Sequence, residues 1–233
     1  MTKKPLPFWL LEAPIILFLS LVILPLLAKG LGTSWGLSNN SVITISFTLQ
    51  QLSLILGTIY LKNKYPLYPE EPVELKPNWR QFWRSLFWLP AIILINILAA
   101  GLATKLLTPI LGVEKIQSLL VKETSRADIL LLDSWGLIIS ILFICVIGPL
   151  SEELFFRGFF FSRMSAYYSP RAAYIVTSLF FAFPHFYLVN FLPIVLLSFV
   201  LCYIARHDGL WGAIGAHVFY NTVVLFNLIF LIV

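Results

Sequence analysis

Charge is what this chain has least of. Only 12% of its 233 residues are Asp, Glu, Lys or Arg, while 59% are hydrophobic. So few charges cannot cover a soluble globule of this size, and the apolar share lies above that of soluble domains. Cysteine is nearly absent too. Cys145 and Cys202 each lie inside an apolar run without CxxC spacing, which argues against a disulfide or a thiolate metal site and for two buried thiols. The chain has no HExxH, the usual helix-borne zinc signature. It has no internal repeat and no low-complexity tract. The 16 basic residues give a formal charge of +5 but form no block interleaved with aromatics. They punctuate the gaps between apolar runs, which argues against nucleic acid as a partner and for a role in topology.

What the chain has in abundance is long apolar runs. Trp9 to Leu27 is interrupted only by Glu12, and Leu86 to Ala103 and Trp135 to Leu150 are similar. A membrane-crossing helix needs about 20 such residues. Spans are expected near 8–31, 42–61, 85–107, 135–162, 169–184, 188–205 and 210–232. The expected fold is all-α, a polytopic transmembrane helix bundle of about seven or eight helices, with residues 1–233 forming a single integral membrane domain. Lys3 and Lys4 ahead of the first run resemble the start of a signal peptide. That run is too long for a signal core, however, and Ala28-Lys29-Gly30 is a poor cleavage site, so it reads as a retained span.

Lys62 to Arg84 carries Tyr65-Pro66, Glu70-Glu71-Pro72 and Lys76-Pro77. Proline removes a backbone donor, so this segment is expected as a surface loop. Residues 114–126 place Glu114, Lys115, Lys122, Glu123 and Arg126 among Ile116, Leu119, Leu120 and Val121, the pattern of an amphipathic helix at the membrane interface. Basic residues recur at Lys3 and Lys4, at Lys62, Lys64, Lys76, Arg80 and Arg84, at Arg163 and Arg171, and at Arg206. The alternation implies a cytoplasmic N-terminus and a C-terminus on the far side.

Against this background a few polar residues stand out. An ionised side chain at the bilayer centre costs about 2.5–3.5 kcal/mol on insertion scales. The fourth run carries Ser151-Glu152-Glu153-Leu154-Phe155-Phe156-Arg157. Glu153 and Arg157 stand four apart with the acid first, the favourable order for an ion pair on one helix face. Glu152 points about 100° away and has no oppositely charged residue at helical spacing, which makes it a candidate general base. The plainer reading is that these charges mark the end of a shorter span, although Phe159 to Phe161 continue the apolar run. His185 ends the fifth run in Phe181-Ala182-Phe183-Pro184-His185, where a hydrogen-bonded packing histidine is the plainer reading. His217 and Asn221 share one face of the last run; they are either an interhelical hydrogen-bonding pair or a proton carrier and an oxyanion donor. His207 reads as a loop residue. Glu12 reads as reaching the interface.

Depth connects these groups. At about 1.5 Å per residue from the cytoplasmic end of each span, Glu152 lies about 16 Å in, His185 about 21 Å, His217 about 10 Å and Asn221 about 16 Å. Helices running in alternating directions thus place their polar residues in one slab, offset toward the cytoplasm.

The ordered set Glu152-Glu153-x-x-x-Arg157, Phe181-x-x-x-His185 and His217-x-x-x-Asn221 resembles the CAAX protease and bacteriocin-processing (CPBP, or Abi) family of intramembrane proteases. The motifs cover residues 152–221. The resemblance implies hydrolysis of a peptide bond in a membrane-associated substrate, prenylated or leader-bearing. Glu152 would activate water with help from His185, His217 and Asn221 would steady the oxyanion, and Glu153 and Arg157 would support them. A metalloprotease reading of the family would instead have Glu152, His185 and His217 hold a zinc ion. The implied partners are the lipid bilayer and a membrane-associated peptide or protein, with the site opening toward the cytoplasm. A non-catalytic immunity or scaffold protein of the same fold is the alternative. A small ion-coupled carrier is a third, but no halves with internal repeats or broken helices support it.

Overall fold

The computed structural model describes residues 7–66, 73–124 and 134–232. Lys3, Lys4, Glu70, Glu71, Pro72 and Arg126 lie outside them. Every regular element among the described residues is helical. In chain order these are α1 (Trp9–Ser34), α2 (Asn39–Lys64), α3 (Trp79–Leu111), α4 (Val113–Thr124), α5 (Trp135–Tyr167), α6 (Pro170–Ala182) and α7 (Phe191–Ile232). Five of them, α1, α2, α3, α5 and α7, are long and apolar enough to cross a membrane. The protein is an all-α integral membrane bundle.

Three of the expected spans need correction. The span expected at 169–184 is the 13-residue α6, followed by a 3-10 turn at Phe183–His185. At 1.5 Å per residue, α6 is only about 20 Å long, too short to cross. The last two expected spans are the arms of α7, broken at Gly209, where φ is 78°. Glycine enters that region without the Cβ penalty. Beside the break, the Leu210 N–H donates to the Glu74 carbonyl at 2.9 Å.

The loop expected from Lys62 to Arg84 is shorter than its charges imply. α2 runs on to Lys64, and α3 begins at Trp79 because the Asn78 side chain caps it, accepting from the Arg80 and Gln81 amides at 3.1 and 3.2 Å. Ser38 caps α2 in the same way, accepting from the Ser41 amide. Such caps satisfy the orphan amides of a first turn, and they carry helices past the apolar window. Arg163 and His207, read as loop residues, lie on α5 and α7. Arg163 is buried, with Nη2 2.8 Å from the Tyr65 carbonyl. The expected amphipathic helix is α4.

Four helix irregularities precede or contain prolines, among them the 3-10 turn at Ser85–Trp88 just before Pro90. π-turns at Leu19–Ile23 and Phe143–Ile147 stand just before Pro25 and Pro149, and the 3-10 turn at the end of α6 contains Pro184. Within a span a missing N–H must be compensated inside the protein, and wider turns are one way of doing it.

Contacts between helix ends follow the up-and-down order. At one end Lys64 pairs with Glu12 at 2.7 Å, Arg163 holds Tyr65, and the Trp88 indole donates to Asp208 at 3.1 Å. At the other end Glu123 of α4 holds the loop that leads into α7. Between them the core is aromatic: Trp9 of α1 meets Phe159 and Phe160 of α5 edge to face. Many large apolar side chains, such as Leu94, Ile97 and Leu98, remain exposed, as a lipid-facing surface requires.

The second arm of α7 packs against the start of α3 through small residues. A Cβ built on Gly215 would lie 2.5 Å from the Phe82 carbonyl oxygen, against backbone that cannot step aside. Close helix approach of this kind is a common basis of association in membranes. Gly215→Ala is expected to destabilise the protein by about 1–3 kcal/mol, the usual range for overpacking. Gly101→Ala, with nothing within 4 Å, should be neutral or slightly stabilising. Unfolding of both variants in mixed micelles measures the difference.

Candidate active site

α5, α6 and α7 converge on one buried ion pair. Glu153 and Arg157 are 0% exposed, and Arg157 Nη1 donates to Glu153 Oε1 at 2.7 Å. The plainer reading, that these charges end a short span, is therefore set aside: α5 continues to Tyr167, and the pair lies inside the bundle. Arg157 also reaches α7, where Nη2 donates to the Ser198 hydroxyl at 2.8 Å and to its carbonyl at 3.1 Å. Its guanidinium carbon lies over the Phe181 ring of α6, 4.6 Å from the ring centroid, a cation–π distance. A buried ion is tolerated when its donors and acceptors are met from several directions; here most are met, while Glu153 Oε2 and Arg157 Nε are buried with no hydrogen-bond partner.

Glu153 Oε1 also meets His217 Nδ1 at 2.9 Å. A carboxylate at Nδ1 keeps the proton on that nitrogen and sets the ring orientation. The other ring nitrogen, Nε2, lies 4.0 Å from Glu152 Oε2. Glu152 is half-buried and His217 is buried. Phe181 lies between the two histidines, with ring centroids 5.2 Å from His185 and 5.9 Å from His217. His185 Nδ1 is 3.0 Å from the Phe181 carbonyl. Phe181 thus touches Arg157, His185 and His217, and His217 in turn approaches both Glu153 and Glu152.

Asn221 donates from Nδ2 to the Ile144 carbonyl of α5 at 3.0 Å. Local chain geometry explains why that carbonyl needs a donor. In the π-turn the Gly148 amide is taken by the Phe143 carbonyl. The amide next in register would be that of Pro149, which has none. Asn221 supplies the missing hydrogen from another helix.

Three polar partners escaped the reading of the sequence. Ser198 holds Arg157, Gln51 of α2 accepts from the Ser151 hydroxyl, and Glu123 holds the loop after His185. For the first two the signal was a polar side chain inside an apolar span; for Glu123 nothing in the spacing distinguishes it from its charged neighbours on α4.

The zinc site implied by Glu152, His185 and His217 does not assemble. Among the described residues no three His, Cys, Asp or Glu lie close enough to hold a metal ion. His217 and His185 engage Nδ1 with Glu153 and with the Phe181 carbonyl, contacts that are compatible with ligation through Nε2, so it is the placement of the three groups that does not fit zinc.

The sequence of this segment has counterparts. The family model of type II CAAX prenyl endopeptidase Rce1-like proteins matches residues 134–223, which enclose all three motifs. The resemblance to the CAAX protease and bacteriocin-processing family holds over that segment. Among curated proteins, UPF0177 protein YxdF of Lactococcus lactis subsp. lactis (strain IL1403) is 29% identical over 126 residues, covering 52% of this chain. The match spans 64% of the length of that relative. No solved structure matches the chain.

Removing either member of the buried pair strands the other. Glu153→Gln and Arg157→Met are each expected to cost about 3–5 kcal/mol of stability. The double variant should cost less than the two together, because it leaves no unpaired ion. A double-mutant cycle of unfolding in mixed micelles tests this, and additive losses would contradict the pairing.

Proposed function

We propose that this protein is an intramembrane endopeptidase that hydrolyses a peptide bond in a membrane-associated, prenylated or leader-bearing substrate. The observation that carries the reading is the 4.0 Å approach of Glu152 to His217 inside a membrane bundle, in a segment similar to a prenyl endopeptidase family. The whole chain would act as one membrane domain, N-terminus in the cytoplasm and site opening to that side.

In this reading Glu152, with help from His185, takes a proton from a water molecule as the oxygen adds to the scissile carbonyl carbon. The carbonyl oxygen becomes an oxyanion. His217 in its imidazolium form has a proton on each ring nitrogen, so Nε2–H donates to the oxyanion while Nδ1–H stays on Glu153. Asn221 Nδ2 has a second hydrogen beyond the one given to Ile144, and it would serve as the other donor. When the tetrahedral species collapses, the C–N bond breaks and Glu152 returns its proton to the departing amine. Arg157 holds the Glu153 carboxylate, so the pair would act by orienting His217.

The test is a panel of prenylated and leader-bearing peptides with purified protein, with and without chelator. Cleavage is expected in at least one, unaffected by chelation. Glu152→Gln should reduce it by at least about a hundredfold, the usual contribution of a general base. Peptide binding without cleavage throughout would favour the immunity or scaffold reading.

A further inference from the structure

The least regular backbone near the site lies between α6 and α7. His185 closes a 3-10 turn, and Phe186 follows at φ 53°, in the left-handed region that bulky residues rarely enter. No helix resumes until Phe191. Within this stretch three successive amides converge on one carboxylate. Glu123 Oε1 accepts from Leu188 N at 2.7 Å and from Val189 N at 3.1 Å. Its Oε2 accepts from Asn190 N at 2.9 Å and Asn190 Nδ2 at 3.0 Å. Successive N–H groups turned the same way form a nest for an anion, and charge-assisted bonds are the strong ones. The carboxylate is itself buried, at the end of α4, the amphipathic helix whose Ile116 is also buried.

We propose that Glu123 is a positioning residue for His185. The backbone carrying His185 is held upstream by α6 and downstream by this four-donor clamp. The clamp holds Phe186 in its left-handed conformation, and so sets the angle at which the His185 ring meets Phe181. The proposal rests on the reading that His185 acts in hydrolysis, but Glu123 itself touches no reacting atom. It stands against a simpler role, in which Glu123 only caps the start of α7 and its loss leaves His185 where it was.

The test uses the full chain in nanodiscs with ring-labelled histidine. The sequence has three histidines, so His185→Gln and His207→Gln assign the resonances. In Glu123→Gln an amide replaces one acceptor oxygen with a group that cannot accept from the facing N–H. The His185 ring resonances are expected to shift or broaden while those of His207 stay in place. With a cleavable peptide, kcat should fall about ten- to hundredfold, the scale of a small misplacement of a reacting group, with KM within about twofold. Asn190→Ala removes one donor and should give the same changes, smaller; it decides the matter if Glu123→Gln does not fold. Unchanged His185 resonances overturn the proposal, whether or not hydrogen exchange at 188–190 speeds up. Should the parent protein cleave nothing, the hydrolytic reading fails, and the resonances still decide whether Glu123 positions His185.

Discussion

A charged pair sealed inside an apolar bundle imposes more order than any apolar contact in this protein. Glu153 and Arg157 sit on the same helix, yet neither can be satisfied by α5 alone. Arg157 needs the hydroxyl and carbonyl of Ser198 on α7 and the ring of Phe181 on α6; Glu153 needs His217 on the far arm of α7. Dispersion tolerates small slides of one helix along another, whereas hydrogen bonds near 2.8 Å do not. Register among α5, α6 and α7 is therefore set at this point, and the Glu152–His217 approach follows from it. The site is a by-product of making the pair tolerable.

The irregular turns serve the same end. A straight, uninterrupted α5 would carry Ile144 and Glu152 on a strict helical repeat. The π-turn ahead of Pro149 changes that phase and opens a carbonyl toward α7. Gly209 does similar work in α7, where the break lets one arm meet α6 and the other lie against α3. Such departures are costly in lipid unless other groups meet the exposed backbone, and here Asn221 and the Glu74 carbonyl do so.

Much of this was legible in the residues. Composition alone implied membrane helices, because too few charges were available for any other solvent. The i, i+4 order of Glu153 and Arg157 implied their pairing, and common depth brought His185 and His217 to the same slab. Helix ends were harder to read: Asn78 and Ser38 extend helices by capping, an effect a hydropathy window cannot register. α6 is shorter than its apolar run, which passes into Phe183 and Pro184, where the chain turns away. Contacts between distant side chains were out of reach. Nothing local marks Ser198 as the acceptor for Arg157, or Glu123 as the anion for Leu188 to Asn190, since neither is defined by spacing along one helix.

The link between Pro149 and Asn221 has a further consequence for how such a sequence can drift. Proline is tolerated at 149 because an amide from α7 fills the gap it leaves, and the asparagine side chain is oriented because that gap exists. An ordinary residue at 149 would bring its own amide into competition for the Ile144 carbonyl, freeing the Asn221 side chain to rotate. A leucine at 221 would leave the carbonyl bare in hydrocarbon. The two positions, on different helices and 72 residues apart in the chain, are bound as one inherited character. Exchange at either one is expected to be accepted only when the other changes with it.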